Sequence, residues 1–204
     1  MKKITILFSL LFIMSCNSQD KRPLMGETEY QKELNASYKD ASKSPLKKKD
    51  LKNFKGLDFF PIDSTFIVTA KLTKTENAPT FEMATTTDRK PIYKEYGILN
   101  FTLKGKECQL TIYQSQDNLR DEKYKDYLFL PFTDDTSGED SYGGGRYMDV
   151  MTTDENPDGT IRLNFNNTYN PYCAYNDKYS CPLTPRKNHL DLEIKAGVKV
   201  FKKH

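Results

Sequence analysis

The chain has 204 residues, 31 of them Lys or Arg against 28 Asp or Glu, with a mean hydropathy of −0.73 and no tryptophan. Two of the basic residues, Lys2 and Lys3, precede an apolar run, so the rest is close to neutral and carries no bulk attraction to nucleic acid. This length suits one domain with its own core, and 13 Tyr with 12 Phe predict that the core is aromatic-rich.

The first feature along the chain is a leader. After Lys2 and Lys3, Ile4 to Met14 is apolar, and Ile13-Met14-Ser15-Cys16 has the lipobox order of apolar, tolerant, small and Cys. The run is too short to cross a bilayer, which takes about 20 apolar residues. Residues 1–15 therefore read as a lipoprotein signal peptide, and Cys16 as the lipid attachment site carrying palmitate or similar chains. Residues 16–26 read as a polar tether, and residues 27–204 as a single β-rich domain. The expectation is a bacterial cell-envelope lipoprotein held to the membrane through Cys16. Asn17 supplies no inner-membrane retention signal, which favours the outer membrane, facing the periplasm.

Thr28 and Gln31 have the form of a capping box, and Tyr30, Leu34, Tyr38 and Ala41 recur at helical spacing, so a helix is expected from Glu27 to Ala41. Ser44-Pro45 then reads as a cap and first helical position, with Leu46, Leu51 and Phe54 on one face and Gly56 as the stop of a second helix. Seven lysines between Lys39 and Lys55 read as a solvated face. From Leu57 the pattern changes to short β-branched and aromatic runs. Strands are expected at Thr65 to Leu72, Phe81 to Thr87, Tyr93 to Leu103, Cys108 to Tyr113, Tyr127 to Phe132, Tyr147 to Met151, Ile161 to Phe165 and Leu190 to Ile194. Gly105-Lys106 and Asp158-Gly159 supply hairpin punctuation. Strands spaced this closely predict a mainly β fold, an antiparallel sandwich or small barrel, with the helices covering one face or open end.

Two irregular segments are the candidates for chemistry. Residues 133–146 run from an acidic turn through Gly143-Gly144-Gly145 to Arg146. Consecutive glycines admit close approach of a ligand or strand, and an arginine beside them suits a carboxylate or phosphate. The alternative is that Arg146 bridges internally to Asp135, Glu139 or Asp149. Neither the Walker spacing nor the dinucleotide fingerprint is present. Residues 166–189 are dominated by Asn, Tyr and Pro, neutral hydrogen-bonding groups suited to a binding rim or a pinned connection.

These segments, together with Gly56-Leu57-Asp58-Phe59-Phe60-Pro61-Ile62-Asp63 and Tyr93 to Phe101, resemble the bacterial domain of unknown function family 1684, over Tyr30 to Phe201. Asn170 to Asn176, Ser180-Cys181-Pro182 and the Tyr-Gly-Gly-Gly-Arg-Tyr stretch at 142–147 carry the resemblance. It implies a shared domain with no established activity, and a recurring pattern that includes Asp135, Gly138, Tyr142, Gly144, Arg146, Asp149, Asn170, Cys173, Asn176, Cys181 and Asn188.

Among the cysteines beyond the leader, Cys108 sits in an alternating run and reads as a buried thiol. Cys173 and Cys181 are the pair expected to form a disulfide outside the reducing cytosol, worth roughly 2–3 kcal/mol, with a reduced pair or a metal-bound one as alternatives. No metal site or cofactor is expected, because the short paired spacings of zinc sites are missing. A serine triad lacks its elbow motif. The expectation is a non-catalytic module that binds a small polar or anionic ligand, or an envelope partner protein, through Asp135, Tyr142, Gly144, Arg146, Asp149, Asn170, Asn176 and Asn188. The alternative is an envelope hydrolase using Asp135, Glu139 or Asp149 as acid and base.

Overall fold

The computed structural model describes residues 26–201; Cys16, the leader and most of the tether lie outside the described residues. Two helices, α1 (Glu29–Lys39) and α2 (Lys48–Leu51), precede eight strands. These are β1 (Ile67–Lys74), β2 (Thr80–Glu82), β3 (Ile92–Leu103), β4 (Lys106–Ser115), β5 (Tyr127–Asp134), β6 (Arg146–Met151), β7 (Thr160–Asn164) and β8 (His189–Leu190).

Thr28 caps α1 as expected, its Oγ1 accepting from Gln31 N at 3.2 Å, but the return bond of the box is displaced by one residue, since Gln31 Oε1 accepts from Glu27 N at 2.7 Å and not from Thr28 N. It ends short of Ala41 because Asp40 Oδ1 accepts from the amide and hydroxyl of Ser42 at 2.9 and 2.7 Å, closing a turn instead of a further helical one. The second helix shrinks to a single turn. Ser44 Oγ accepts from Leu46 N at 3.2 Å in a local turn that buries Pro45 and Leu46, and α2 begins only at Lys48, behind an N-cap lysine with no side-chain cap.

The strands form one mainly antiparallel sheet in the order β6-β5-β4-β3-β1-β7, with β2 added to β3 and β8 pairing in parallel with β5. The sheet curls into a half-barrel. Its spine is the long β3–β4 hairpin, closed by Lys104 and Gly105 at φ of 51° and 78°, the two positive values that a tight two-residue turn demands. All eight expected strands exist. The second stops at Glu82 because Thr85 Oγ1 donates to Arg89 O at 2.6 Å and folds the chain into a turn. The last is two residues long because the amide and carbonyl of Ile194 are taken by Asp134 Oδ1 and Arg146 Nη2 at 3.2 and 2.8 Å, not by a neighbouring strand.

Pleat alternation divides the sheet into two faces. Leu128, Leu130 and Phe132 of β5 join Met148 and Val150 of β6, and from the far edge Ala70, Ile161 and Leu163, in the main core. Because β6 and β7 end the strand order yet meet in one cluster, this face is the inside of the curl. The opposite parity faces outward and is aromatic: Tyr113, Phe129 and Tyr147 pack with Tyr93 and Met83. A register shift between Glu95 and Gly97 lets β3 serve both. Before it Tyr93 shares the outer face with Tyr113; beyond it Leu99, Phe101 and Leu103 point into the core. One extra residue exchanges the faces. A third cluster, with Tyr38 of α1, Leu57, Phe59, Tyr175 and Val198, fastens the helix to the C-terminal segment.

Candidate functional site

Arg146 lies in the interior. Its Nη2 donates to Asp134 Oδ2 at 2.7 Å and to Ile194 O at 2.8 Å, its Nη1 donates to Ala196 O, and its side chain is wholly enclosed. The guanidinium also sits between the rings of Phe60 and Phe132, at 5.7 and 5.3 Å. Burial pulls its pKa below the usual arginine value, and Asp134 opposes that shift. The expected anion contact is therefore a buried ion pair, made with Asp134 and not with the three acids proposed from sequence. The glycines before it have the same logic. A Cβ on Gly145, whose φ is +90°, would stand 2.5 Å from Thr184 Oγ1 and 2.6 Å from Phe132 O, and one on Gly144 would meet the Tyr142 ring at 2.6 Å. The close approach they permit is to their own chain.

Asn188 and Asn170 are likewise enclosed rather than at a rim. Asn188 Nδ2 donates to Thr111 O and Pro131 O, both at 2.7 Å, and its Oδ1 accepts from Thr111 N at 2.9 Å. β4 and β5 share a single register pair, Tyr113 with Phe129, so this side chain supplies the rungs the ladder lacks. Asn170 Nδ2 donates to Lys199 O at 2.9 Å and pins the C-terminal segment. Asn176 Oδ1 accepts from Lys178 N at 3.3 Å within its own turn. Asp135 is exposed, 3.7 Å from His189 Nε2, and Glu139 is exposed on the same loop.

Of the expected set, Asn176 lines a cavity beside α2 and Asp149 lines an aromatic one. A pocket of about 360 Å³ opens on the aromatic face, between the sheet, α1 and the loop at 169–182. Its sheet wall is Tyr93, Tyr127, Phe129, Tyr147 and Asp149, neighbours on the outward parity of β3, β5 and β6. Tyr169 extends this wall from β6, and the rest of the lining includes Tyr38 with the loop residues Tyr172 and Tyr179. The rings meet edge to face: Phe129 with Tyr147 at 4.6 Å and 82°, Tyr147 with Tyr169 at 6.0 Å and 85°, and Tyr38 with Tyr172 at 6.2 Å and 76°.

At the wall, Asp149 Oδ1 accepts from Tyr127 Oη at 2.8 Å and from Tyr169 Oη. Burial, with the carboxylate adding to it, raises both phenols well above their ordinary pKa, so each stays protonated and donates. Tyr147 Oη donates to Pro182 O and holds the loop against the sheet. Tyr38 is fully buried, and its ring meets that of Tyr175 edge to face at 5.0 Å. Among the described residues no Lys, Arg or His lines the pocket.

Within the loop, Cys173 and Cys181 are separate thiols in contact: Cys173 N donates to Cys181 Sγ at 3.1 Å. The Cys181 thiol, by hydrogen bonding, lowers Cys173 to about 7, while the same contact and burial raise Cys181. Tyr142 Oη lies 3.9 Å from Cys173 Sγ, and burial pushes this phenol up to about 12. The structure thus holds the expected pair together without a bridge. Among the described residues no group of three or more His, Cys, Asp or Glu is placed to hold a metal ion.

The profile of the family described as protein of unknown function (DUF1684) matches residues 52–199. The chain belongs to the DUF1684 family. A solution NMR structure of an uncharacterized protein from Haloarcula marismortui is similar to it, with 34% identity, a TM-score of 0.66, and coverage of 85% of this chain and 92% of that one. No curated protein matches. The profile begins well after Tyr30, so α1, which supplies Tyr38 to the pocket, lies outside the matched DUF1684 segment. Sequence reasoning missed the phenols of the pocket. The signal was available in the i, i+2 pairs Tyr127/Phe129 and Tyr147/Asp149, which alternation places on one face.

Proposed function

We propose that this DUF1684 member is a lipid-anchored cell-envelope protein whose domain holds a small polar organic molecule, without turnover, in the pocket beside Asp149. The observation that carries the binding reading is the pocket itself: a concave, largely aromatic wall with a few convergent polar groups is the usual form of a small-molecule site. The anchor rests on the basic start, short apolar run and lipobox ending at Cys16. No helix among the described residues is long and apolar enough to cross a membrane. Binding is preferred to hydrolysis because a carboxylate mechanism needs two acids across the scissile bond, and Asp149 is the one acid among the described residues lining this pocket.

Native and denaturing mass spectrometry of the protein extracted from its own envelope tests both parts. The expected result is a chain that begins at an acylated Cys16 and carries a non-covalent organic mass lost on denaturation. A chain that retains Met1 and lacks acyl mass would remove the anchor. Absence of any retained mass, with no thermal stabilisation by a panel of small polar solutes, would remove the binding reading.

A further inference from the structure

We infer that the occupant of the pocket is an organic cation with a substituted ammonium group, seated against the Asp149 carboxylate and the surrounding phenol rings. This rests on the binding reading above and names its ligand class. The charge balance points there first. Among the described residues, Asp149 is the only charged side chain that lines the cavity. Arg89 reaches the rim, but its guanidinium donates to Ser180 Oγ at 3.1 Å and Ser180 O at 2.9 Å. An anion would meet a carboxylate with no basic partner inside the pocket.

The walls suit the same class. A ring face is electron-rich, and aromatic side chains set at steep angles to one another present faces and edges to a cation from several sides, the arrangement by which alkylated ammonium groups are recognised. Phe129, Tyr147 and Tyr169 are set in that way, and Tyr172 and Tyr179 continue the enclosure at 61° to each other. Lys178 already places its ammonium 4.8 Å from the centre of the Tyr179 ring at this rim.

The polar atoms of the pocket are not all used internally. Both phenol donors reach Oδ1 of Asp149, and Oδ2 accepts from no described residue. The two bonds fix the carboxylate in place while leaving one oxygen for a ligand.

Choline and its uncharged isostere 3,3-dimethylbutanol differ in the charge at the head group and little in shape, so calorimetric titration of the full chain in nonionic detergent with each separates charge from fit. Tetramethylammonium, glucose and succinate complete the panel, and phosphatidylcholine vesicles distinguish a lipid headgroup from a free solute. The expected result is choline binding at least tenfold tighter than the isostere, with Asp149→Asn weakening choline about tenfold and leaving the isostere unchanged. Choline-competed capture by the vesicles would assign the cation to a headgroup; choline binding without capture would assign it to a solute. Equal binding of choline and the isostere, or binding of glucose or succinate alone, overturns the cation inference and leaves the binding reading standing. Failure of every probe, with no mass retained on extraction, overturns both. The comparison of ligands on the unaltered chain decides the matter even if Asp149→Asn fails to fold.

Discussion

Arg146 and Asp134 meet at 2.7 Å, Nη2 to Oδ2, with neither side chain exposed, and together they hold the backbone of Ile194 against the end of β5. Such a pair is costly to break from one side, because the remaining charge is left buried and unpaired. Arg146→Ala is expected to cost about 3–5 kcal/mol in urea unfolding. The double change Arg146→Met with Asp134→Leu should cost clearly less than the sum of the two single ones. A loss below about 1 kcal/mol for Arg146→Ala would show that the pair does not hold the fold.

Asn188 gives a second, local prediction. Its amide replaces ladder rungs between β4 and β5, and Asn188→Ala leaves the amide and carbonyl of Thr111 and the carbonyl of Pro131 without partners. The expected cost is about 2–4 kcal/mol, given roughly 1–3 for each buried group left unsatisfied and partial repair by water. Hydrogen exchange reads it directly: the Thr111 amide should lose protection in the variant. Unchanged protection there would mean the strands pair without the side chain.

Two glycines with similar backbone angles should respond differently. Gly138 and Gly145 have φ of +94° and +90°, but a Cβ on Gly138 meets nothing within 4 Å while one on Gly145 collides with Thr184 and the carbonyl of Phe132. Gly138→Ala should cost about 1 kcal/mol, the conformational penalty alone. Gly145→Ala should cost more, by about 1–3 kcal/mol of overpacking. Equal melting temperatures for the two variants would contradict the packing.

Cys173 should be the reactive thiol. A depressed pKa means its thiolate forms as pH rises through about 7, whereas an ordinary cysteine requires about two units more. Iodoacetamide labelling followed by peptide mapping should show Cys173 half-maximally reactive near pH 7 and Cys181 inert there. Cys181→Ala removes the thiol that stabilises the charge and should move the midpoint upward. A wild-type rate that rises only above pH 8.5 would refute the assignment.

The strands were legible because alternation and turn residues are local: Tyr127 to Phe132 and Tyr147 to Met151 announce themselves in a few residues. The helix cap at Thr28 was legible for the same reason. Pro45 misled because a cap signal and an apolar spacing specify a helix only if packing agrees, and here Leu46 is drawn into the cluster with Tyr38. Arg146 misled more deeply. A basic residue after three glycines has the look of an anion site, yet its partner, Asp134, is separated from it by a loop of 11 residues whose path no local pattern reveals. The pocket needed the sheet order as well, since Tyr93, Tyr127, Tyr147 and Tyr169 become neighbours only when β3, β5, β6 and the loop are assembled.

The parity of β5 and β6 separates what the molecule can change from what it must keep. Tyr127, Phe129, Tyr147 and Asp149 alternate with Leu128, Leu130, Met148 and Val150, so a substitution on the pocket side leaves the interior side of the same strand intact. Relatives of this chain are thereby free to vary the outward wall on a common scaffold, at every second residue of the two strands. A comparison of family members that scored odd and even positions of β5 and β6 apart would reveal recognition drifting over a fixed frame.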